Sequence, residues 1–268
     1  MKTSAALIVS TYNWPGALDL CLKSIKSQVV MPDEVIIADD GSDDLTKQVV
    51  EYFNRSLPCK VKHVWQEDFG FRLAEIRNKA ILASESDYLV FIDGDMILDR
   101  HFISDHLKFC RPNHFLTGSR VFVNQIMTSK LLSGNSLRFC FFYPGFRNRL
   151  NGIRSESLSE WFCHHDDKFM NVRGCNMSFW KRDLFAVNGF NQEYTGWGRE
   201  DSDLVVRLLN SGRLRIKLKF AAVQYHLYHQ VRVNQHLDHN HRILLATVAG
   251  KTILAKVGLS SLKNNPDL

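Results

Sequence analysis

What this chain lacks narrows its class before what it contains. It has no apolar run approaching the roughly 18–20 residues that a membrane span needs, so any membrane contact is peripheral. No stretch repeats at a period of about 20–50 residues, which sets aside solenoids and propellers. No G-x-G-x-x-G follows the first apolar segment and no G-x-x-x-x-G-K-[ST] occurs anywhere, so neither the dinucleotide fingerprint nor the P-loop is supported. The six cysteines (Cys21, Cys59, Cys110, Cys140, Cys163, Cys175) are widely spaced and form no C-x-x-C pair. An even count permits disulfides, but Met1 runs almost directly into an apolar segment with no signal peptide ahead of it. The expectation is free thiols in a reducing, cytoplasmic setting. The basic residues are scattered and no RNA- or DNA-binding signature is present, so nucleic acid is not an expected partner.

What is present is a soluble globular composition: 268 residues, 45% hydrophobic and 23% charged. That length supports a substantial core. The net charge of +6 favours acidic partners, such as an anionic membrane surface or a phosphorylated small molecule.

Apolar, β-rich runs alternate with helical patterns. Strands are expected over Ala5–Ser10, Glu34–Ala38, Lys60–Val64 and Tyr88–Asp93. Helices are expected from Trp14-Pro15-Gly16 to about Gln28, over Asp43–Phe53 and over Leu73–Ala83. Asn13 is the expected N-cap of the first helix, with Pro15 near its first position. Further on, a helix is expected over His101–Phe109, a strand over Phe115–Val123, order resuming at Asn171–Trp180, and a short helix near Lys181–Val187. A helix through Leu204 and Leu208, a strand over Ala221–Tyr225 and a helical tail around Ile243–Val248 complete the pattern. The tail either packs on the core or touches a membrane. Between Asn124 and Lys168 periodicity is lost in a stretch rich in Arg and aromatics, including Arg138, Phe139, Phe141, Phe142, Tyr143, Phe146, Arg147, Arg149, Trp161 and Phe162. Such a stretch reads as a functional loop or lid. Continuous apolar strands alternating with helices are the signature of an α/β fold with a mostly parallel central sheet and a ligand site at its carboxyl edge.

Two strings carry the chemistry. The first is YLVFIDGD, a buried-strand pattern that stops at Asp93 and Asp95, separated only by Gly94. A polar turn would account for Asp and Gly, but carboxylates at the end of a parallel strand sit where such sheets bind ligands. The second is Tyr194–Asp203, in which Gly196 and Gly198 flank Trp197 and three acids in four residues lead into a helix. Acids at a helix start are stabilised by its dipole, yet capping does not require the Gly-Trp-Gly run. A Trp offers a flat platform for the apolar face of a sugar ring, and a neighbouring acid can act as general base toward a hydroxyl. Downstream, His226 and His229 stand three residues apart, a spacing that can reach a metal.

VSTYNWPGALDLCLKSI, VIIADDGSDD, IRNKAI and YLVFIDGD resemble the family 2 glycosyltransferases of GT-A fold. VRGCNMSFW, NGFNQEYTGWGREDSDLVVRLLNSG and QYHLYH resemble the C-terminal part of the β-1,4-galactosyltransferases, a combination similar to that of chondroitin-polymerase-type and polypeptide N-acetylgalactosaminyltransferase-like enzymes. The resemblance covers roughly residues 4–230. It implies one GT-A domain over 1–268: a nucleotide-sugar-binding half (about 4–123), an acceptor and catalytic half (about 124–230, galactosyltransferase-like over 171–229) and a helical tail (231–268). By the same resemblance Ser10, Tyr12 and Asp40 embrace the uracil and ribose of a UDP-sugar. Arg77 lies near the diphosphate, Asp93 and Gly94 meet the ribose or sugar, and Asp95 holds a divalent cation with His229 or His226. Asp201 is the implied general base, Glu200 the holder of the donor sugar, and Trp197 a lining residue of the sugar and acceptor site. Arg199 departs from the pattern, standing where the galactosyltransferases usually have glycine, and His226 replaces a methionine of some relatives.

These assignments form a consistent chemistry. A hard cation bound through carboxylate oxygen neutralises a leaving diphosphate, and imidazole ligands shift the preference from Mg²⁺ toward Mn²⁺. Attack by a hydroxyl activated by Asp201 inverts the anomeric centre. The expected enzyme is an inverting hexosyltransferase that elongates a surface glycan (lipopolysaccharide core, O-antigen or capsule) from UDP-Gal or UDP-GalNAc. Its acceptor is a glycan or lipid-linked glycan, with peripheral contact at the inner face of a bacterial cytoplasmic membrane. A nucleotidyltransferase or metal-dependent hydrolase would use the same Asp/His cluster without needing Trp197. A non-catalytic glycan-binding module would bind without consuming UDP-sugar.

Overall fold

The computed structural model describes residues 3–134, 145–166, 168–169, 172–230 and 236–262. The N-terminal part alternates strand and helix: β1 (Ala5–Thr11), α1 (Pro15–Lys26), β2 (Glu34–Asp39), α2 (Asp44–Ser56), β3 (Lys60–Trp65), α3 (Leu73–Ala83) and β4 (Tyr88–Asp93). These strands pair in parallel in the order β3-β2-β1-β4. Strands β1 and β2 are buried along their whole length, because helices cover both faces of the sheet. Alternation divides their side chains. Leu7, Val9, Val35, Ile37, Val90 and Ile92 pack with Leu18, Cys21, Leu22 and Ile25 of α1. Ala6, Ile8, Ile36, Leu89 and Phe91 face the opposite way, against Ile76, Ala80 and Ile81 of α3.

The remaining elements are β5 (Met96–Leu98), α4 (Phe102–Phe109), β6 (His114–Thr117), β7 (Val121–Val123), α5 (Gln125–Leu132), β8 (Phe146–Arg147), α6 (Glu156–Phe162), β9 (His164–His165), β10 (Met177–Trp180), α7 (Lys181–Ala186), α8 (Glu200–Asn210), β11 (Leu214–Lys217), β12 (Gln224–His226), α9 (Leu237–Ala249) and α10 (Leu259–Leu262). The large sheet continues β4-β10-β6-β11-β9, with β10 antiparallel to both neighbours. A second sheet runs β5-β12-β7-β8. No helix of the described residues is long and apolar enough to cross a membrane. The five described cysteines are free thiols; Cys140 lies outside the described residues.

The structure corrects several expectations. The strand expected over Phe115–Val123 is two strands in different sheets, β6 and β7. The chain leaves the large sheet at 118–120, where Asn176 Nδ2 donates to Ser119 O (2.8 Å) and Ala222 O (3.1 Å). The stretch expected to be irregular holds short elements fixed by caps rather than by periodicity. Asn124 accepts from Met127 N at the start of α5, and Ser155 from Leu158 N at the start of α6. Arg138, Phe139, Phe141, Phe142, Tyr143 and Asn171 lie outside the described residues. Asn13 is not the cap of α1: it sits at φ +45°, and its side chain accepts from Asp43 N at 2.9 Å instead. The tail helix α9 packs on the protein against α8, through Thr247 Oγ1 to Asp203 Oδ1 at 2.8 Å.

At the end of the sheet away from the acids, Glu34 anchors the turn between α3 and β4. Its Oε1 accepts from Ser84 Oγ, Glu85 N, Ser86 N and Ser86 Oγ at 2.6–2.9 Å, and Lys62 pairs with Oε2 at 3.0 Å. Burial works against the charge, but the hydrogen bonds from Ser84, Lys62 and Ser86 win and hold the carboxyl down from 4.5 to about 2. Its stabilisation is therefore present above pH 4.5 and is lost as pH falls toward 2. Glu34→Ala should cost on the order of 3 kcal/mol in urea unfolding at pH 7, with the gap to wild type closing in acid.

Candidate active site

The carboxyl ends of β1, β2 and β4 meet at one edge of the large sheet, and two reversed strands bring the second half of the chain to it. Because β10 runs antiparallel to β4, with Met177 opposite Phe91, its N-terminal end arrives beside Asp93. Because β12 runs antiparallel to β5, with His226 opposite Met96, its C-terminal end arrives at Asp95, and Leu227 N donates to Asp95 O at 3.0 Å.

Asp95, His226 and His229 converge. Each imidazole Nε2 lies 3.3 Å from Asp95 Oδ2, and the three potential ligand atoms fall within 4.8 Å of one another. Asp95 Oδ1 is buried and has no hydrogen-bond partner among the described residues. Burial opposes charge on Asp95, but hydrogen bonds from His226 and His229 hold its carboxyl well below the usual carboxylate range, and the same bond raises His229. The edge of Trp14 packs on His229 with ring centroids 6.0 Å apart. One carboxylate and two imidazoles with an unpaired buried oxygen fit a divalent cation.

Arg77 lies beside Asp93 at the end of β4. Its guanidinium donates from Nε to Ser10 Oγ at 3.1 Å and from Nη2 to Asp93 Oδ1 at 2.9 Å, with Nη1 3.7 Å from Glu200 Oε1. It also sits over the Phe190 ring at 5.4 Å. At 1% exposure its charge is directed at protein groups. Burial raises the Asp93 carboxyl despite Arg77. Gly94 N donates to Ser10 O at 2.7 Å, drawing the end of β4 against β1.

The expected nucleotide residues gather at the same edge. Asp40 is buried, accepting from Gln66 Nε2 (2.6 Å) and Arg72 N (2.8 Å), and burial raises its carboxyl. Tyr12 donates its hydroxyl to Asp68 Oδ2 at 2.8 Å.

Glu200 and Asp201 open α8 and diverge in surroundings. Glu200 is buried with Oε2 unpaired; burial and then the charge of Asp201 push its carboxyl up from 4.5 to about 7. Asp201 Oδ2 accepts from Gly174 N at 3.0 Å and Oδ1 from Ser202 N at 2.6 Å. Gly174 permits this closeness, since a Cβ there would lie 2.9 Å from Arg77 Nη1. Trp197 is half-exposed, on a turn where Gly196, Gly198 and Arg199 all take positive φ. Arg199, at φ +82°, thus stands in a conformation that favours glycine.

Three contributors escaped the sequence reading. Gly174 has a signal only in its neighbour Arg77. Arg120 lies near enough to Asp93 and Asp95 to act on their charges, and it donates to Cys175 Sγ at 3.2 Å. Asn240, on α9, hydrogen-bonds the Trp197 turn.

The chain matches the model of glycosyl transferase family 2 over residues 6–173, and the model described as the N-terminal domain of galactosyltransferase over residues 156–230. The protein belongs to glycosyl transferase family 2. This family 2 chain is 28% identical over 223 residues to a chondroitin synthase of Escherichia coli, covering 77% of this chain and 32% of that protein. It is 26% identical over 217 residues to a validoxylamine A glucosyltransferase of Streptomyces hygroscopicus subsp. limoneus, covering 76% and 47%. The chain therefore spans about a third to a half of these relatives. In fold it is similar to Staphylococcus aureus TarS 1–349 in complex with UDP-GlcNAc (TM-score 0.62, 17% identity, 96% of this chain and 69% of that one). It is similar also to the mannosyltransferase PcManGT of Pyrobaculum calidifontis in complex with GDP-Man and Mn²⁺ (TM-score 0.59, 18% identity, 99% and 66%). The architecture is the GT-A fold, and the matched family is one of glycosyl transferases.

The raised carboxyl of Glu200 has a direct consequence. The fold favours its neutral form, so the fold loses stability from this group as pH rises from 4.5 through about 7. Asp201→Asn removes the like charge and should lower the Glu200 midpoint. Between melts at about pH 5 and about pH 8, on either side of that midpoint, the variant should show the smaller fall in Tm.

Proposed function

We infer that the enzyme transfers a hexose or N-acetylhexosamine, with inversion, from a UDP-sugar to a hydroxyl of a growing glycan. UDP-Gal and UDP-GalNAc are the favoured donors. The observation that carries the reading is the convergence of Asp95, His226 and His229 around an unpaired buried carboxylate oxygen, at the edge that also holds Glu200 and Asp201. The fold neighbours whose titles name UDP-GlcNAc and GDP-Man with Mn²⁺ support a nucleotide-sugar donor and a cation. Relatives named chondroitin synthases support a glycan product.

Asp95, His226 and His229 would hold the cation, which would supply Lewis-acid neutralisation of the departing diphosphate. Ser10, Tyr12, Asp40 and Gly94 form the nucleotide floor, with Asp93 beside the ribose or sugar. Arg77 keeps Asp93 and Glu200 in register. Glu200, with a midpoint near neutrality, can donate a hydrogen bond to the donor sugar as the neutral acid. Asp201, oriented by Gly174 N–H, takes the proton of the acceptor hydroxyl. As the hydroxyl oxygen bonds to the anomeric carbon, the bond to the UDP oxygen breaks and its electron pair leaves with the diphosphate. One displacement gives a β-linkage from an α-linked donor. The net charge of +6 suits a lipid-linked acceptor at an anionic inner leaflet, as in elongation of a lipopolysaccharide core, O-antigen or capsule.

A UDP-release screen over UDP-Gal, UDP-GalNAc, UDP-Glc and UDP-GlcNAc, with and without Mn²⁺, tests the donor and the metal together. Asp95→Asn should abolish the Mn²⁺-dependent release while the melting curve stays cooperative; unchanged release would sink the metal assignment. Asp201→Asn should bind UDP-sugar normally in calorimetry yet lose transfer by about 10²–10⁴-fold. Residual transfer near wild type would place the base elsewhere.

A further inference from the structure

Helix α9 lies beyond residue 230, where the second family match ends, yet it holds the turn that carries Trp197. Asn240 is wholly buried, and its Nδ2 donates twice, to Thr195 O at 3.0 Å and to Gly198 O at 2.9 Å. Those two carbonyls bracket Gly196 and Trp197, so one side-chain amide closes the turn. The start of α9 also fills the space beside it: a Cβ on Gly196 would lie 2.8 Å from His236 Cδ2, and one on Gly198 would lie 3.4 Å from Leu237 Cδ1. Positive φ at 196, 198 and 199 is a conformation that a glycine-rich segment adopts freely but holds only when its surroundings fix it. A half-exposed indole on such a turn is a defined platform only if the turn is immobilised.

We propose that Asn240 is a positioning residue of the acceptor subsite, fixing the Thr195–Gly198 turn so that Trp197 presents its ring to the apolar face of a pyranose acceptor. This rests on the reading of Trp197 as a lining residue of the sugar and acceptor site. It makes α9 part of the apparatus that shapes this subsite. The amide suits the role because it offers two donors to two carbonyls. Aspartate would set a carboxylate against both oxygens, and alanine would leave both unpaired.

The test uses the full chain with four substitutions: Asn240→Ala, Asn240→Asp, Trp197→Ala and, as a control on α9 docking away from the turn, Thr247→Val. Amide hydrogen exchange over 195–198, which needs no acceptor, should accelerate by about tenfold or more in both Asn240 variants and stay near wild type in Thr247→Val. UDP release with Mn²⁺ is then measured with and without p-nitrophenyl β-glycosides of galactose, N-acetylglucosamine and glucuronic acid. In the Asn240 variants the glycoside KM should rise about tenfold, with UDP affinity and donor hydrolysis within about twofold of wild type. Thr247→Val should lower Tm without moving that ratio. Should Asn240→Ala not fold, Asn240→Ser gives the same exchange signature at partial strength. Unchanged exchange over 195–198, or an Asn240 KM at wild type while Trp197→Ala raises it, overturns the clamp. A wild-type KM in Trp197→Ala itself overturns the underlying reading of the sugar site instead.

Discussion

The guanidinium of Arg77, 1% exposed among β1, β4 and the start of α8, is the charge around which the acids of this site are disposed. A cation so deep persists only with partners. It has Ser10 and Asp93 at hydrogen-bond distance, Glu200 at 3.7 Å and the face of Phe190. Removing an acid partner would strand it at a cost of about 3–5 kcal/mol. One cation cannot neutralise the part-exposed Asp93 and the buried Glu200 equally. Asp93 takes the short contact, and Glu200, buried and next to Asp201, keeps its proton to about pH 7. Arg77 also dictates its neighbour, since the space a side chain at 174 would occupy belongs to its guanidinium. The bare backbone at Gly174 can then donate to Asp201. Positions 10, 93, 174, 200 and 201 are thus bound by one packing solution.

Strand direction explains how residues more than a hundred positions apart come to share that solution. A purely parallel sheet would deliver only strand C-termini to its carboxyl edge. Strand β10 runs the other way between β4 and β6, so its preceding loop, with Gly174 and Cys175, lands there. Strand β5 turns back immediately after Asp95, and its antiparallel partner β12 ends at His226 beside that carboxylate. The cation-binding geometry is therefore a register relation: a slip of one residue would turn His226 to the other face of the small sheet.

Much of this was legible in the sequence. Strands β1, β2 and β4 are apolar runs that end in polar residues, because a strand covered on both faces has nowhere else to place its acids. The acids of YLVFIDGD and GWGREDSD and the two histidines, all singled out by the sequence, come together at one edge. The rest depends on long-range pairing that no local pattern encodes. Strand β5 has three residues, β8 and β9 two each, too short to show alternation. The break at 118–120 is imposed by Asn176, far away in sequence. Asn13 looked like a cap, but its partner is the backbone of Asp43 on another loop. The burial of Arg77 cannot be read from IRNKAI, whose arginine sits on a helix like many exposed ones.

The start of α8 shows why a bland reading of the acidic string fell short. Helix dipole and capping account for acids in the first turn, yet no side-chain cap is made here, and Arg199 occupies the cap position at φ +82°. The helical advance of about 100° per residue instead fans three carboxyls in different directions. Glu200 turns toward Arg77, Asp201 toward Gly174, and Asp203 into the core, where Arg207 (2.8 Å) and Thr247 (2.8 Å) hold it. The inward member is as consequential as the outward pair. Arg207 also donates to Val187 O and Gly189 O, so Asp203 fixes the rotation of the helix about its axis. That rotation decides which of the other two acids is buried beside a cation and which meets the Gly174 N–H. A helix turned by one residue would present the same composition with the roles of Glu200 and Asp201 lost, so the chemistry proposed for this edge depends on a salt bridge that never meets substrate.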